Sequence, residues 1–123
     1  MLSNEDSDRL EAACSETVGQ ALRSIVYFTE DDFDQVHLTD YLSAEADIAA
    51  FVDNEREGFH RVSTHEGSEL GRYEYTIRRF ERGYLVRVIS DSKGVFVTTN
   101  QLPTEEFDEL ASAVERVMKT WNE

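Results

Sequence analysis

The chain has 123 residues, of which 40% are hydrophobic, 11% aromatic and 31% charged. That is one domain with one core, too apolar and aromatic for disorder despite its charge. No apolar run approaches the ~20 residues that span a bilayer, and a single cysteine, Cys14, excludes an internal disulfide and any multi-cysteine metal site.

The net charge is −14, from 26 acidic and 12 basic residues. Only Lys93 and Lys119 are lysines; the other bases are arginine. A surface so acidic and so poor in lysine suits a cytoplasm holding molar salt, where the Debye length falls to about 3 Å and self-repulsion is screened. The expected result is a gain in folded-state ellipticity on adding KCl to dilute buffer; full ellipticity at low salt with no gain would refute it. The opening residues lack the basic and apolar regions of a secretory signal. Together these features predict a cytoplasmic protein that does not insert into membranes.

Residues 5–21 read as an amphipathic helix, with Leu10, Ala13, Cys14, Val18, Ala21 and Leu22 on one stripe and Ser3 or Asn4 as cap. Cys14 lies on that stripe and reads as a small buried hydrophobe. Residues 24–29 and 33–39 form a hairpin around the acidic turn Glu30-Asp31-Asp32. Acidic side chains on the second strand suit a sheet edge.

A second helix is predicted over 43–57, capped by Ser43, with Leu42 and Ala44 at its entry. Ile48, Phe51 and Val52 form its stripe, and Gly58 is its stop. A long polar connection, 58–72, follows; connections of that length are commonly functional or mobile. Strands at 73–80, 84–90 and 95–99 then form a meander, joined by Glu81-Arg82-Gly83 and Asp91-Ser92-Lys93-Gly94. Thr104, after Pro103, can cap a last helix carrying Phe107, Leu110, Ala111, Val114, Val117, Met118 and Trp121.

The expected fold is therefore α+β, a single domain of order α-β-β-α-β-β-β-α. One five-stranded antiparallel sheet has one face buried under the first and last helices, and the middle helix crosses between hairpin and meander. Charge is uneven along it. Residues 29–57 hold ten acids and one base, whereas 58–103 hold five acids and seven bases. Arg72, Arg78, Arg79, Arg82 and Arg87 on the sheet could meet an acidic partner, or the protein's own acidic helices.

This order of elements resembles the roadblock/longin-type fold, in which a hairpin, a crossing helix and a three-strand meander make one five-stranded sheet. Locally, Leu22-Arg23-Ser24-Ile25-Val26-Tyr27-Phe28-Thr29, Glu69-Leu70-Gly71-Arg72-Tyr73, Gly83-Tyr84-Leu85-Val86-Arg87-Val88 and Gly94-Val95-Phe96-Val97-Thr98-Thr99 are similar to a family of small haloarchaeal proteins. The second resemblance implies a salt-loving origin and nothing catalytic. The first implies a homodimer that acts as a platform or regulator for small GTPases or other protein partners. Dimers of this kind join through an edge strand and the middle helix, which points here to Phe51, Tyr73 and Tyr75 as interface residues.

Residue patterns carry no competing chemistry. His60 and His65 share a segment with Glu66 and Glu69 but fit no zinc spacing. Glu30-Asp31-Asp32 with Asp34 lacks the alternation and central glycine of a calcium loop. Gly67-Ser68-Glu69-Leu70-Gly71-Arg72 lacks the lysine and spacing of a phosphate loop, and no nucleophile–base motif is present. No catalytic residue, cofactor or metal is therefore assigned. Tyr73, Tyr75, Phe80, Tyr84 and Phe96 beside arginines could stack nucleic acid, but a charge of −14 opposes phosphate binding. The sequence reading is thus a non-enzymatic interaction module. The alternative is a small-ligand sensor or regulatory domain with a pocket under 58–72.

Overall fold

The computed structural model describes residues 2–38, 48–64 and 67–121, apart from the side chains of 61–64. Its elements are α1 (Asn4–Val18), β1 (Leu22–Phe28), β2 (Phe33–Leu38), α2 (Ile48–Thr64), β3 (Thr76–Phe80), β4 (Gly83–Ser90), β5 (Lys93–Thr99) and α3 (Thr104–Met118). All neighbouring strands are antiparallel, in the order β2-β1-β5-β4-β3. The fold is the expected α+β domain, a five-stranded antiparallel sheet with three helices.

Local chemistry explains the termini. The Ser3 hydroxyl accepts from the Asp6 backbone N–H and starts α1, with Glu5 and Asp6 in its first turn. Helix α3 begins differently from expectation. Pro103 occupies the cap position, with no side-chain hydrogen bond, and Thr104 is already helical. Proline's fixed φ and extended ψ launch the helix without a hydroxyl cap. The β4–β5 turn is shorter than expected, because Ser90 pairs with Lys93 and only Asp91 and Ser92 are unpaired. Asp91 takes a positive φ of 57° there, the geometry that matches a tight hairpin to strand twist.

Alternation splits the strands between two cores. Leu22, Ile25, Tyr27, Val86, Val88, Val95 and Val97 pack under α1 and α3, against Leu10, Cys14, Phe107, Leu110, Val114 and Trp121. The opposite face buries Val26, Phe28, Leu85 and Phe96 under Val52 of α2, with Ile48 and Phe59 alongside. The sheet is therefore covered on both faces rather than one. The β1 and β5 runs are apolar at consecutive positions, as a two-sided strand requires.

The middle helix departs most from the sequence reading. It continues to Thr64, and Gly58 lies buried within it rather than stopping it. A Cβ at Gly58 would come within 2.5 Å of Arg87 Cζ and 2.7 Å of Ile89 Cδ1. The glycine lets α2 approach the sheet closely, which offsets its poor helix propensity. The connection expected over 58–72 is correspondingly shorter. The expected cap at Ser43, with Leu42 and Ala44, lies outside the described residues, as do His65 and Glu66.

Candidate functional site: the face under the middle helix

Helix α2 carries a carboxylate on its inner stripe. Glu55 follows Val52 by three residues and precedes Phe59 by four, so it points at the sheet with the apolar residues. It is 0% exposed. A buried carboxylate needs partners, and the sheet supplies two guanidiniums. Arg78 of β3 donates through Nε to Oε2 at 2.6 Å and through Nη2 to Oε1 at 3.3 Å. Arg87 of β4, itself 3% exposed, donates through Nη1 to Oε1 at 2.9 Å. Asn54 adds a longer bond to Oε2 at 3.3 Å.

Arg87 extends the network outward. Its Nη2 donates to the Thr76 hydroxyl at 2.8 Å and to the Tyr73 hydroxyl at 3.3 Å, and those two hydroxyls contact each other. Its Nε has no hydrogen-bond partner among the described residues and is shielded from solvent. Asn54, Glu57, Gly58, Tyr73, Thr76, Arg78 and Arg87 wall an open polar cavity of about 390 Å³.

Beside it lies an apolar patch. Phe51 on α2 is 36% exposed and Phe80 at the end of β3 is 46% exposed. Their rings meet edge to face at 6.0 Å, and Phe51 also packs 6.2 Å from Phe96. Both line a mostly apolar groove of about 300 Å³ with Ile48, Leu38, Arg23 and Arg82 among its walls. Strand β3 is at the edge of the sheet.

The three interface residues read from the sequence are not brought together. Phe51 and Tyr73 both lie on the α2 side, Phe51 at the apolar groove and Tyr73 at the polar cavity. Tyr75 packs with the α1/α3 core and donates to Asp108 at 3.4 Å; burial first, and Asp108 second, push its phenol above the ordinary range. Both tyrosines precede β3, which starts at Thr76 rather than at 73. Tyrosine suited a strand by propensity, but the pairing of β3 with β4 begins only at Thr76↔Arg87.

Three of the five sheet-region arginines meet the chain's own helices: Arg78 and Arg87 reach Glu55 of α2, and Arg72 lies 3.1 Å from Glu115 of α3. Arg79 instead sits 6.0 Å over the Tyr84 ring of β4. Sequence reasoning missed Glu55; its signal was a charged residue at an apolar-stripe position of an amphipathic helix.

The other reactive groups are engaged in burial or local contacts. Burial, with Glu11 nearby, pushes the Cys14 thiol up to about 12, so no nucleophilic thiolate forms near neutrality. His37 Nδ1 contacts Glu11 at 2.8 Å and ties β2 to α1. Around the acidic turn, Arg56 donates to the carbonyls of Thr29 at 2.7 Å and Asp32 at 3.2 Å. Among the described residues no group of three or more His, Cys, Asp or Glu could hold a metal ion, and no helix is long and apolar enough to cross a membrane.

No curated protein sequence matches the chain. The gliding protein MglB of Thermus thermophilus superposes with a TM-score of 0.66 at 11% identity, over 98% of this chain and 96% of that one. An MglB with a tetrameric arrangement gives 0.67 at 11% identity, over 98% and 95%. A Roadblock/LC7 domain from Streptomyces avermitilis gives 0.58 at 16% identity, over 89% and 94%. The fold is thus of the roadblock type. Residues 8–119 match the model of a domain of unknown function, DUF7522, and the chain belongs to that family.

Proposed function

We propose that this chain is a non-enzymatic protein-interaction module, a homodimeric roadblock-like platform of a salt-rich cytoplasm that engages a small GTPase or another protein. The observation that carries this reading is the exposed Phe51–Phe80 pair beside the β3 edge. An open strand edge next to exposed aromatics is a surface that a second sheet can extend and cover. Of the other two expected interface residues, Tyr73 and Tyr75 immediately precede β3 in the chain. The tetrameric arrangement of one MglB relative supports self-association through this fold. The lysine-poor acidic surface supports the saline setting.

The test is light scattering after size exclusion in molar KCl. Wild-type protein is expected at twice the chain mass. Phe51→Asp is expected at the monomer mass with unchanged ellipticity, a loss of at least about 2 kcal/mol of association, or roughly 30-fold in Kd. A monomeric wild type refutes the homodimer. Folded dimers of both Phe51→Asp and Tyr75→Asp would place the interface elsewhere. Mass spectrometry of what tagged protein retains in the same salt tests for the further partner.

A second reading, a small-ligand regulatory domain, is favoured by one observation: the polar cavity walled by Tyr73, Thr76, Arg78 and Arg87. A preformed cavity with convergent polar groups is the ordinary form of a ligand site.

A further inference from the structure

The charge inside the α2 face does not balance. Two guanidiniums, Arg78 and Arg87, converge on the single buried carboxylate of Glu55. Both oxygens of that carboxylate are already occupied, Oε1 by Arg78 and Arg87 and Oε2 by Arg78 and Asn54. Glu55 and Arg87 balance each other in the buried interior, so the second guanidinium, that of the part-exposed Arg78, brings one surplus positive charge to the cavity wall, in a protein whose net charge is −14. Arg87 is almost wholly buried, and its Nε has no partner among the described residues. A buried guanidinium with one donor unsatisfied carries a desolvation cost that a further anion beside the Arg78–Arg87 pair would offset.

The cavity gives an anion room to do so. Arg78 and Arg87 both wall it, and Arg78 keeps 38% of its side chain exposed. Thr76 and Asn54 line the same space. Gly58 holds the α2 backbone close to Arg87, and any side chain there would strike the guanidinium. The one opposing charge on the wall, among the described residues, is Glu57, which is exposed.

We propose that this cavity binds a small molecule through one anionic oxygen group, a carboxylate or a phosphate, set against Arg78 and Arg87. The planar guanidinium fork matches such oxyanions in two parallel hydrogen bonds, which chloride cannot reproduce. The inference rests on the ligand-domain reading above and names the ligand class; it does not depend on the dimer.

The test follows the arginine Nε–Hε signals of the full chain by nitrogen-15 NMR at fixed KCl concentration. Acetate, inorganic phosphate and neutral acetamide are the three probes. The expected result is a saturable shift of the Arg78 and Arg87 signals with acetate or phosphate, while Arg9 on α1 stays still; which of the two saturates first assigns carboxylate or phosphate. Arg78→Gln is expected to weaken that binding at least about tenfold. Saturation by acetamide alone would overturn the anion assignment and leave a ligand site standing. No saturable shift with any probe, or equal drift of every arginine signal, would overturn the anion site and remove the support for the ligand-domain reading. Because the signals are read in wild-type protein, a poorly folded Arg78→Gln does not blunt the test.

Discussion

Glu55→Ala is expected to lower the unfolding free energy by about 3–5 kcal/mol, the cost of removing one partner from a buried ion pair. The truncation leaves Arg87, 3% exposed, without the one carboxylate it meets among the described residues, and frees Arg78 from two hydrogen bonds. A domain of this size has about 5–15 kcal/mol in total, and its midpoint should fall by more than roughly 10 °C. Arg78→Ala should cost less, because that side chain is 38% exposed and the released carboxylate keeps Arg87.

The sign of the effect separates two meanings of this cluster. The penalty for Glu55→Ala is chiefly the orphaned charge, not the net worth of the triad. Glu55→Leu combined with Arg87→Met should therefore recover much of the loss, since both removed charges leave apolar chains facing Val52, Leu85 and Phe96. Urea titration of the three variants in molar KCl checks this. Recovery by the double variant would mean that the charges are retained for something other than stability, as a binding role would require. A double variant as unstable as Glu55→Ala would make the triad a stabilising clamp of α2. High salt should change the ranking little, because buried pairs are screened far less than surface ones.

Glu55 also marks where sequence reasoning stopped. The strands were legible because their alternation and turn residues are local: the acidic turn of the hairpin lies at Glu30-Asp31-Asp32, and the meander turns fall within Glu81-Arg82-Gly83 and Asp91-Ser92-Lys93-Gly94, although Gly83 opens β4 and Lys93 and Gly94 open β5. Helix α3 was legible for the same reason, through its stripe from Phe107 to Met118. What was not legible depends on partners distant in sequence. Gly58 reads as a helix stop because glycine commonly is one; only the approach of Arg87, from a strand far along the chain, turns it into an interior packing residue. Glu55 reads as one more acid among ten in residues 29–57 until two sheet arginines neutralise it.

The same limit applied to the interface residues. Phe51 was identifiable as an aromatic on α2, but its exposure depends on where the stripe turns relative to the sheet, with Val52 and Glu55 inward and Phe51 at the margin. Phe80, which stands beside it, reads from the sequence only as one of several sheet aromatics. Tyr73 and Tyr75 look like one pair on one strand. Because they precede β3 rather than belong to it, strand alternation does not govern them, and they end on opposite sides of the sheet.

Gly83→Ala is expected to destabilise by about 2–4 kcal/mol, at or above the upper end of ordinary overpacking. The residue opens β4, and a Cβ there would lie 2.0 Å from the Thr99 carbonyl oxygen and 3.1 Å from its carbon. That neighbour is backbone and has no rotamer to change. It is also fixed from both sides: Thr99 pairs with Tyr84 and Leu22, while Asn100 donates to Ala21 at 2.7 Å and accepts from Arg23 at 2.8 Å. Relief requires β4 to move off β5 at the end away from their connecting turn, which loosens the Phe80↔Gly83 turn and carries Phe80 away from Phe51. Two readouts should therefore move together, a lower melting midpoint and, if the dimer uses that pair, a weaker dimer. Gly71→Ala is the informative control. Its φ of 90° makes any side chain strained, yet nothing lies within 4 Å of the added carbon, so the loss should stay near about 1 kcal/mol with no change in association. Equal losses at the two positions would show that β4 yields to the added carbon at little cost, since Gly83, unlike Gly71, holds no positive φ.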